Sequence, residues 1–261
     1  MMRALTSAAS GMAAQQFNLD TISNNLANVN TTGFRANLAH FEDQGYQTLQ
    51  GAGEPVGSTN TPVGQQVGLG VKIAASEKEF TQGSLNQTGN NLNLAIQGDG
   101  FFQVTQPDGT IAYTRDGSFV ENANGALTTA NGNFLSPSIT IPSNATSVSI
   151  GQDGTVAVQL PGSTTTQQVG QITLARFTNP DGLSANGNNL YTQTAASGTP
   201  IVSAPGLNGN GTVQSGYLES SNVSVVTEMV NMITAQRAFE ANSKSVTAAD
   251  QMLSTAVQTK Q

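Results

Sequence analysis

The 261-residue chain has no cysteine, no tryptophan and a single histidine. Without cysteine there is no disulfide, no thiolate nucleophile and no cysteine-ligated zinc. The lone histidine, His40, has no second histidine with which to build a metal cluster. No Ser-His-Asp pattern accompanies it either, so catalysis has little support there. Charge is scarce: 10% of residues are charged, against a usual quarter, and the net charge is −7. No basic run exists, which argues against nucleic acid and anionic membrane as partners. No apolar run approaches the length of a membrane-spanning helix. The first twenty residues lack an apolar core of secretory type, so export through a cleaved signal peptide is not expected.

Gly, Asn, Ser, Thr and Gln fill the space that charge leaves. Two stretches stand apart from this composition. From Ser224 to Val257 there is no Gly and no Pro, enough for a helix of about 50 Å. Val225, Met232, Phe239, Val246 and Leu253 recur every seven positions along it, one line of a coiled-coil seam. The companion line is read four residues on, at Met229, Gln236, Ser243, Asp250 and Val257, and three of its five members are polar. A single apolar line does not fill the stripe of about 100° that a core-facing helix needs, so this helix needs partners. The second stretch runs from about Arg3 to Asn30. Leu5, Met12, Leu19 and Leu26 fall seven apart, with Ala8, Gln15, Ile22 and Val29 three residues beyond each. Gly11 interrupts it at a cost of about 1 kcal/mol relative to Ala. Thr31-Thr32-Gly33-Phe34 reads as its stop, with Gly33 left-handed and Phe34 folding back on the last turn.

Between these helices the pattern changes. Val67, Leu69, Val71 and Ile73 alternate on the far side of a Gly/Pro-rich tip, which predicts a long exposed hairpin. An unstructured linker is the alternative, because the tip is long for a hairpin loop. From about Phe80 to Gly216 the chain reads as all-β. Asp-Gly and Asn-Gly pairs at 99, 108, 116, 124, 131, 153, 181 and 186 punctuate short apolar runs, and such pairs favour tight hairpins. None of these aspartates sits in a calcium loop, and no glycine pair opens a helix as a phosphate loop does. The expected class is therefore α+β. A discontinuous coiled-coil helical domain comes from both ends (1–35 and 221–261), a long β-hairpin extension or linker covers 36–79, and an all-β domain (80–220) is inserted between them. No acid/base pair, metal cluster or cofactor motif is visible, and no enzyme is expected. A β-rich adhesin is compatible with the composition, although paired terminal heptads do not fit it.

Ser23–Phe34 (SNNLANVNTTGF) resembles the N-terminal signature of the flagellar rod and hook protein family. Val230–Ile233 (VNMI), Gln236–Asn242 (QRAFEAN) and Asp250–Leu253 (DQML) resemble the C-terminal signature. Ile96–Phe102 (IQGDGFF), Tyr113–Phe119 (YTRDGSF) and Gly216–Val223 (GYLESSNV) carry the resemblance through the middle. It is greatest to the distal-rod branch, with a proximal rod protein as the competitor. Asn24, Asn25, Asn28, Gly33, Phe34, Gln236, Arg237 and Asn242 stand at the signature positions. The resemblance implies a structural subunit of the bacterial flagellar basal body. Such subunits self-assemble into a helical tube, with the paired terminal helices lining an axial channel and the β-domain outside. It implies passage through the flagellar type III export machinery without a cleaved signal. It also implies a place spanning periplasm to outer membrane, with proximal rod, hook, P-ring and L-ring proteins as neighbours and no cofactor. The expected self-assembly residues are Leu5, Met12, Leu19, Ile22, Leu26, Val29, Val225, Met232, Phe239, Val246 and Leu253. The segment around Tyr46, Pro55, Pro62 and Gly70 resembles the insertion that marks distal-rod subunits.

Overall fold

The computed structural model describes the chain except residues 1, 54, 57, 58, 61, 163, 164, 260 and 261, and except the side chains at 2, 55, 56, 59 and 60. The protein is α+β: one helix near each end of the chain and a series of short strands between them. Its contacts divide into two units. The first comprises 1–27, 37–77 and 224–261; the second comprises 28–36 and 78–223.

The first unit holds helix α1 (Met2–Ala27) and helix α2 (Val225–Gln258), which pack on each other. Glu228 lies in the first turn of α2, where a carboxylate complements the positive end of the helix dipole. Between the helices in sequence comes the hairpin that the alternation predicts, built as nested pairs. Asn37–Asp43 pairs with Val71–Lys78, Tyr46–Gln50 with Gln65–Gly68, and Pro55–Val56 with Thr59–Asn60. Glu54, Gly57, Ser58 and Thr61 of this arm, and the side chain of Pro55, lie outside the described residues.

Helix α1 stops at Ala27, short of the expected Asn30, and its last turn is not the one that Gly33 caps. Asn28, Asn30, Thr31 and Thr32 have short polar side chains that compete with helical hydrogen bonds. Here the Thr31 N–H donates to the Asn28 carbonyl (3.1 Å) and the Thr31 hydroxyl to Asn28 Oδ1 (3.2 Å), closing a turn. Val29 therefore lies beyond the helix, and residues 28–36 belong to the second unit rather than to the helical one. Gly33 does adopt a left-handed conformation (φ 66°), for a different reason. A Cβ there would sit 2.7 Å from the backbone of Arg115 and Asp116.

The second unit is all-β apart from one short 3-10 turn, Pro180–Gly182, among the described residues. Its largest sheet runs in the order Phe119–Glu121, Leu127–Thr129, Phe134–Ser136, Phe101–Thr105, Ile111–Thr114, Leu190–Thr192, Ser184–Gly187. Leu174–Arg176 joins it beside Phe101–Thr105 and pairs in turn with Ile201–Ser203. A three-stranded sheet, 147–150, 155–159 and 166–171, packs over one face.

Period-two alternation splits neighbouring residues between two layers. Phe102, Val104, Ala112, Leu174 and Leu190 enter the main core with Ile150, Val156, Val158 and Ile172. Phe101, Tyr113, Ala175 and Tyr191 face the other way, into an aromatic layer with Phe177, Leu183 and Phe80. Its rings meet edge to face, as in Tyr113–Phe177 at 4.8 Å and Phe80–Phe101 at 5.5 Å between centroids. That geometry sets the positive ring edge against the negative face.

Candidate assembly interface

Helix α1 turns Leu5, Ala8, Met12, Gln15, Leu19, Ile22 and Leu26 inward; Ala8 and Ile22 are buried and the others half-buried. On α2, Met232, Phe239, Val246 and Leu253 are half-buried, while Val225 at the helix start is exposed. The companion line differs from expectation. Met229, Gln236, Asp250 and Val257 are exposed and Ser243 only half-buried. The buried line lies three residues on: Glu228, Ala235, Asn242 and Ala249, of which Asn242 is half-buried. Small side chains allow close approach of the two backbones. A Cβ added at Gly11 would come within 2.8 Å of Asn242 Nδ2, so the helix-weakening glycine of α1 faces the signature asparagine of α2.

Asn25 joins three segments of this unit. Its Nδ2 donates to the Asn37 carbonyl (2.9 Å) and to Glu228 Oε1 (3.1 Å), and its Oδ1 accepts from the Asn37 N–H (2.8 Å). Asn25 is 1% exposed, so a single buried amide holds the end of α1, the start of the hairpin and the first turn of α2. Asn24 is exposed and accepts from Asn37 Nδ2 at 3.4 Å. At the junction of the first two strand pairs of the hairpin, Gly70 (φ 123°) crosses α1 at Ser7 and Ser10, and the Val71 N–H donates to Ser10 Oγ (3.3 Å).

Apolar surface is left over. Val226, Met229, Val230 and Ile233 stand on the face of α2 away from the α1 contact and are 51–73% exposed. Gln236 and Arg237 are exposed beside them. On the hairpin, Leu38, Phe41, Tyr46, Leu49, Val63 and Ile73 are exposed, as is Pro62. His40 pairs with Glu77 at 2.7 Å on this arm, among exposed neighbours. No group of acidic residues and histidine able to hold a metal occurs among the described residues. Among the described residues no helix is long and apolar enough to cross a membrane.

In the second unit the residues flanking the two helices converge on one carboxylate, Glu219. Its Oε1 accepts from Arg35 Nη2 (2.7 Å) and the Gly83 N–H (2.9 Å), and its Oε2 from Arg115 Nη1 (3.4 Å). Its backbone carbonyl accepts from the Gly33 N–H (2.8 Å). Asn222 adds a second tie: Oδ1 accepts from the Ala36 N–H (2.8 Å), and Nδ2 donates to the Glu79 carbonyl (2.8 Å). Thr32 donates to Asp116 (2.9 Å), and Phe34 is buried beneath the Lys78 ammonium, 5.5 Å from the ring centroid. Burial pushes the Arg115 guanidinium down to about 10, against the pull of Glu219, so it stays charged at neutral pH. Burial likewise pushes the Tyr191 hydroxyl up to about 12. Gly33 and Phe34 thus serve the β unit rather than the helix end. Nothing in local spacing announced Arg35, Arg115 and Glu219 as a set.

Three family models match the chain. Residues 5–35 match one described as flagella basal body rod protein. Residues 95–158 match the flagellar hook protein FlgE/F/G D1 domain, and residues 214–259 the flagellar basal body rod FlgEFG protein C-terminal region. The flagellar basal-body rod protein FlgG of Borreliella burgdorferi is 50% identical over 256 residues, covering 97% of both chains. FlgG of Buchnera aphidicola from Schizaphis graminum is 49% identical over 254 residues, covering 97% of this chain and 98% of that one. FlgG of Caulobacter vibrioides is 48% identical over 254 residues, covering 97% of each. The chain belongs to the flagellar basal-body rod protein family. The adhesin reading gives way to this likeness, which spans nearly the full chain. For this rod-family chain, the signature positions divide into two kinds. Asn25, Gly33 and Phe34 meet segments distant in sequence, Asn28 closes its own turn with Thr31 and Asn242 faces Gly11, whereas Asn24, Gln236 and Arg237 are left on the surface.

Proposed function

We propose that the chain is a structural subunit of the distal rod, self-assembling into a rigid helical tube that transmits torque from the motor to the hook. The observation that supports this most directly is the pairing of α1 and α2 with Val226, Met229, Val230 and Ile233 left uncovered on the outer side of α2. A monomer gains nothing from such a face, whereas a polymer covers it. In this reading the terminal helices pair as a coiled coil around an axial channel. The inner layer is Leu5, Met12, Leu19, Leu26, Met232, Phe239, Val246 and Leu253. The arm from Tyr46 to Gly70 braces neighbouring subunits and limits the bending that a hook permits. Export proceeds through the flagellar type III machinery. The finished segment spans periplasm to outer membrane within the P and L rings, between proximal rod and hook. The function is mechanical, with no catalytic step and no cofactor.

Deleting the gene and imaging purified basal bodies by electron microscopy tests this. The expected result is a short rod stub without hook or outer ring. A complete basal body with hook refutes distal-rod function. Deleting residues 46–70 alone tests the brace: rods that stay straight would count against it.

A further inference from the structure

The aromatic layer of the β unit opens into a pocket that self-packing of the protomer does not explain. It is a cavity of about 150 Å³ walled by Phe80, Phe101, Phe177, Arg115, Arg176 and Asp99. At ~30 Å³ per water that is room for roughly five waters, or one carboxyethyl group. Arg115 forms part of its wall and is 4% exposed. Its guanidinium lies 5.4 Å from the Phe101 ring centroid, its Nη2 donates to the Gly98 carbonyl (2.8 Å), and its Nη1 reaches Glu219 only at 3.4 Å. The buried Nε–H of Arg115 has no acceptor among the described residues; nor have Nε and Nη1 of Arg35 behind it. Buried donors left unpaired are uncommon and costly, and each calls for an explanation.

Charge points the same way. Arg35 and Arg115 share the single buried carboxylate of Glu219. At the rim Arg176 is half-exposed and only loosely held by Asp99, at 3.8 Å. Among the described residues these ion pairs set three guanidiniums against two carboxylates, in a chain whose net charge is −7. A second copy of the chain, with 16 acidic residues against 9 Lys and Arg, offers carboxylates in excess of cations. Guanidinium forks bind carboxylates with charge-assisted hydrogen bonds, and phenyl walls suit the apolar stem that carries one.

We propose that this pocket receives the carboxylate of an acidic side chain from a second copy of the chain. Arg176 meets it at the rim, the Arg115 edge lies behind it, and Phe80, Phe101 and Phe177 enclose the stem. The occupant rests on the self-assembly reading above; the carboxylate chemistry of the pocket does not. The test has two arms on the full chain. In the first, dilute protein is titrated with glutarate while the arginine Nε–H resonances are followed by NMR. A saturable shift at Arg115 and Arg176 is expected. Arg176→Glu should weaken it about tenfold or more, and Arg176→Lys less, since a lysine keeps the charge but not the fork. Thermal unfolding by circular dichroism checks that both variants fold. In the second arm, sedimentation velocity compares self-association, and Arg176→Glu should need about tenfold more protein to associate. No saturable shift in the first arm overturns the pocket. Glutarate binding with unchanged self-association of Arg176→Glu overturns the second copy as occupant. A wild-type chain that binds glutarate yet never self-associates overturns the assembly reading, and that occupant with it, but leaves the pocket standing.

Discussion

Glu219 joins Arg35, Gly83 and Arg115 through one buried carboxylate, and removing its charge should be felt throughout the β unit. Glu219→Gln keeps the size but leaves two guanidiniums facing a neutral amide. Breaking a buried pair from one side typically costs about 3–5 kcal/mol, because the remaining charge stays buried. Urea unfolding followed by near-ultraviolet circular dichroism should show a loss of that order. Glu121→Gln, at an exposed position, should stay within about 0.5 kcal/mol. This cluster was not legible in the sequence. Arg35 and Glu219 stand 184 positions apart and Arg115 and Glu219 stand 104 apart, so no periodicity links them. Tyr191, in the aromatic layer and within the field of this cluster, gives a pH signature. Its hydroxyl titrates near 12 when folded and near 10 when unfolded. Between those values the unfolded chain loses the proton and the folded chain keeps it. The contribution of Tyr191 is therefore complete below pH 10 and falls as pH rises to 12. Arg115 acts oppositely in that window: pushed down to about 10, it releases its proton when folded before the unfolded chain does. The net stability is thus a poor readout, and the comparison with Tyr191→Phe is a good one. The stability advantage of the parent over that variant should shrink from pH 10 to 12. The last-titrating tyrosinate absorbance should be missing from Tyr191→Phe.

At the scale of the element, the helices and strands were read well where residue type and local geometry agree. Phe101–Thr105, Ile111–Thr114 and Ser147–Ile150 stand where apolar runs between turn pairs put them. Glycines 109, 125, 132, 154 and 187 of the Asp-Gly and Asn-Gly pairs have positive φ, as tight turns require. Asp116-Gly117 looked the same and acts otherwise. Asp116 accepts from Thr32 and Ser118, and Gly117 is crowded by the Leu94 carbonyl, so the pair docks the N-terminal signature. The seam of α2 was half legible. Its apolar line stands out, but a heptad line can be completed three or four residues on, and alanine has too little contrast to mark which. The structure chooses Glu228, Ala235, Asn242 and Ala249, where small side chains let α1 approach. Ala235→Leu should overpack that face, costing about 1–3 kcal/mol and lowering far-ultraviolet helical signal. Gln236→Leu should leave the helix pair within about 0.5 kcal/mol, since Gln236 points to solvent. Equal effects from both substitutions would restore the other line.

At the scale of the whole molecule, the two units differ in what holds them. The β unit buries a continuous core from Leu94 to Val213. In the first unit the buried apolar side chains among the described residues are Ala8, Ala14, Ile22, Ala235 and Ala249, one branched side chain and four methyl groups. At roughly 0.8 kcal/mol per buried CH₂, such a set contributes little against the backbone entropy of ordering two long helices. Half-buried Leu, Met and Phe residues add to it, yet the uncovered face of α2 leaves the largest gain to be made by association. Segments with few buried contacts open locally at low free energy while the core stays closed. The helical ends should therefore be cut first by a dilute protease. Cleavage within 2–27 and 225–258 should precede any cut within 94–215 in the dilute chain, and polymerisation should protect both ends together. Hydrogen exchange should follow the same order, with amides of α1 and α2 slowing severalfold or more on assembly while those of the β core change little. Ends that resist protease as well as the β core in the dilute chain would mean that the helix pair is stable alone. Assembly would then join preformed surfaces rather than order the helices.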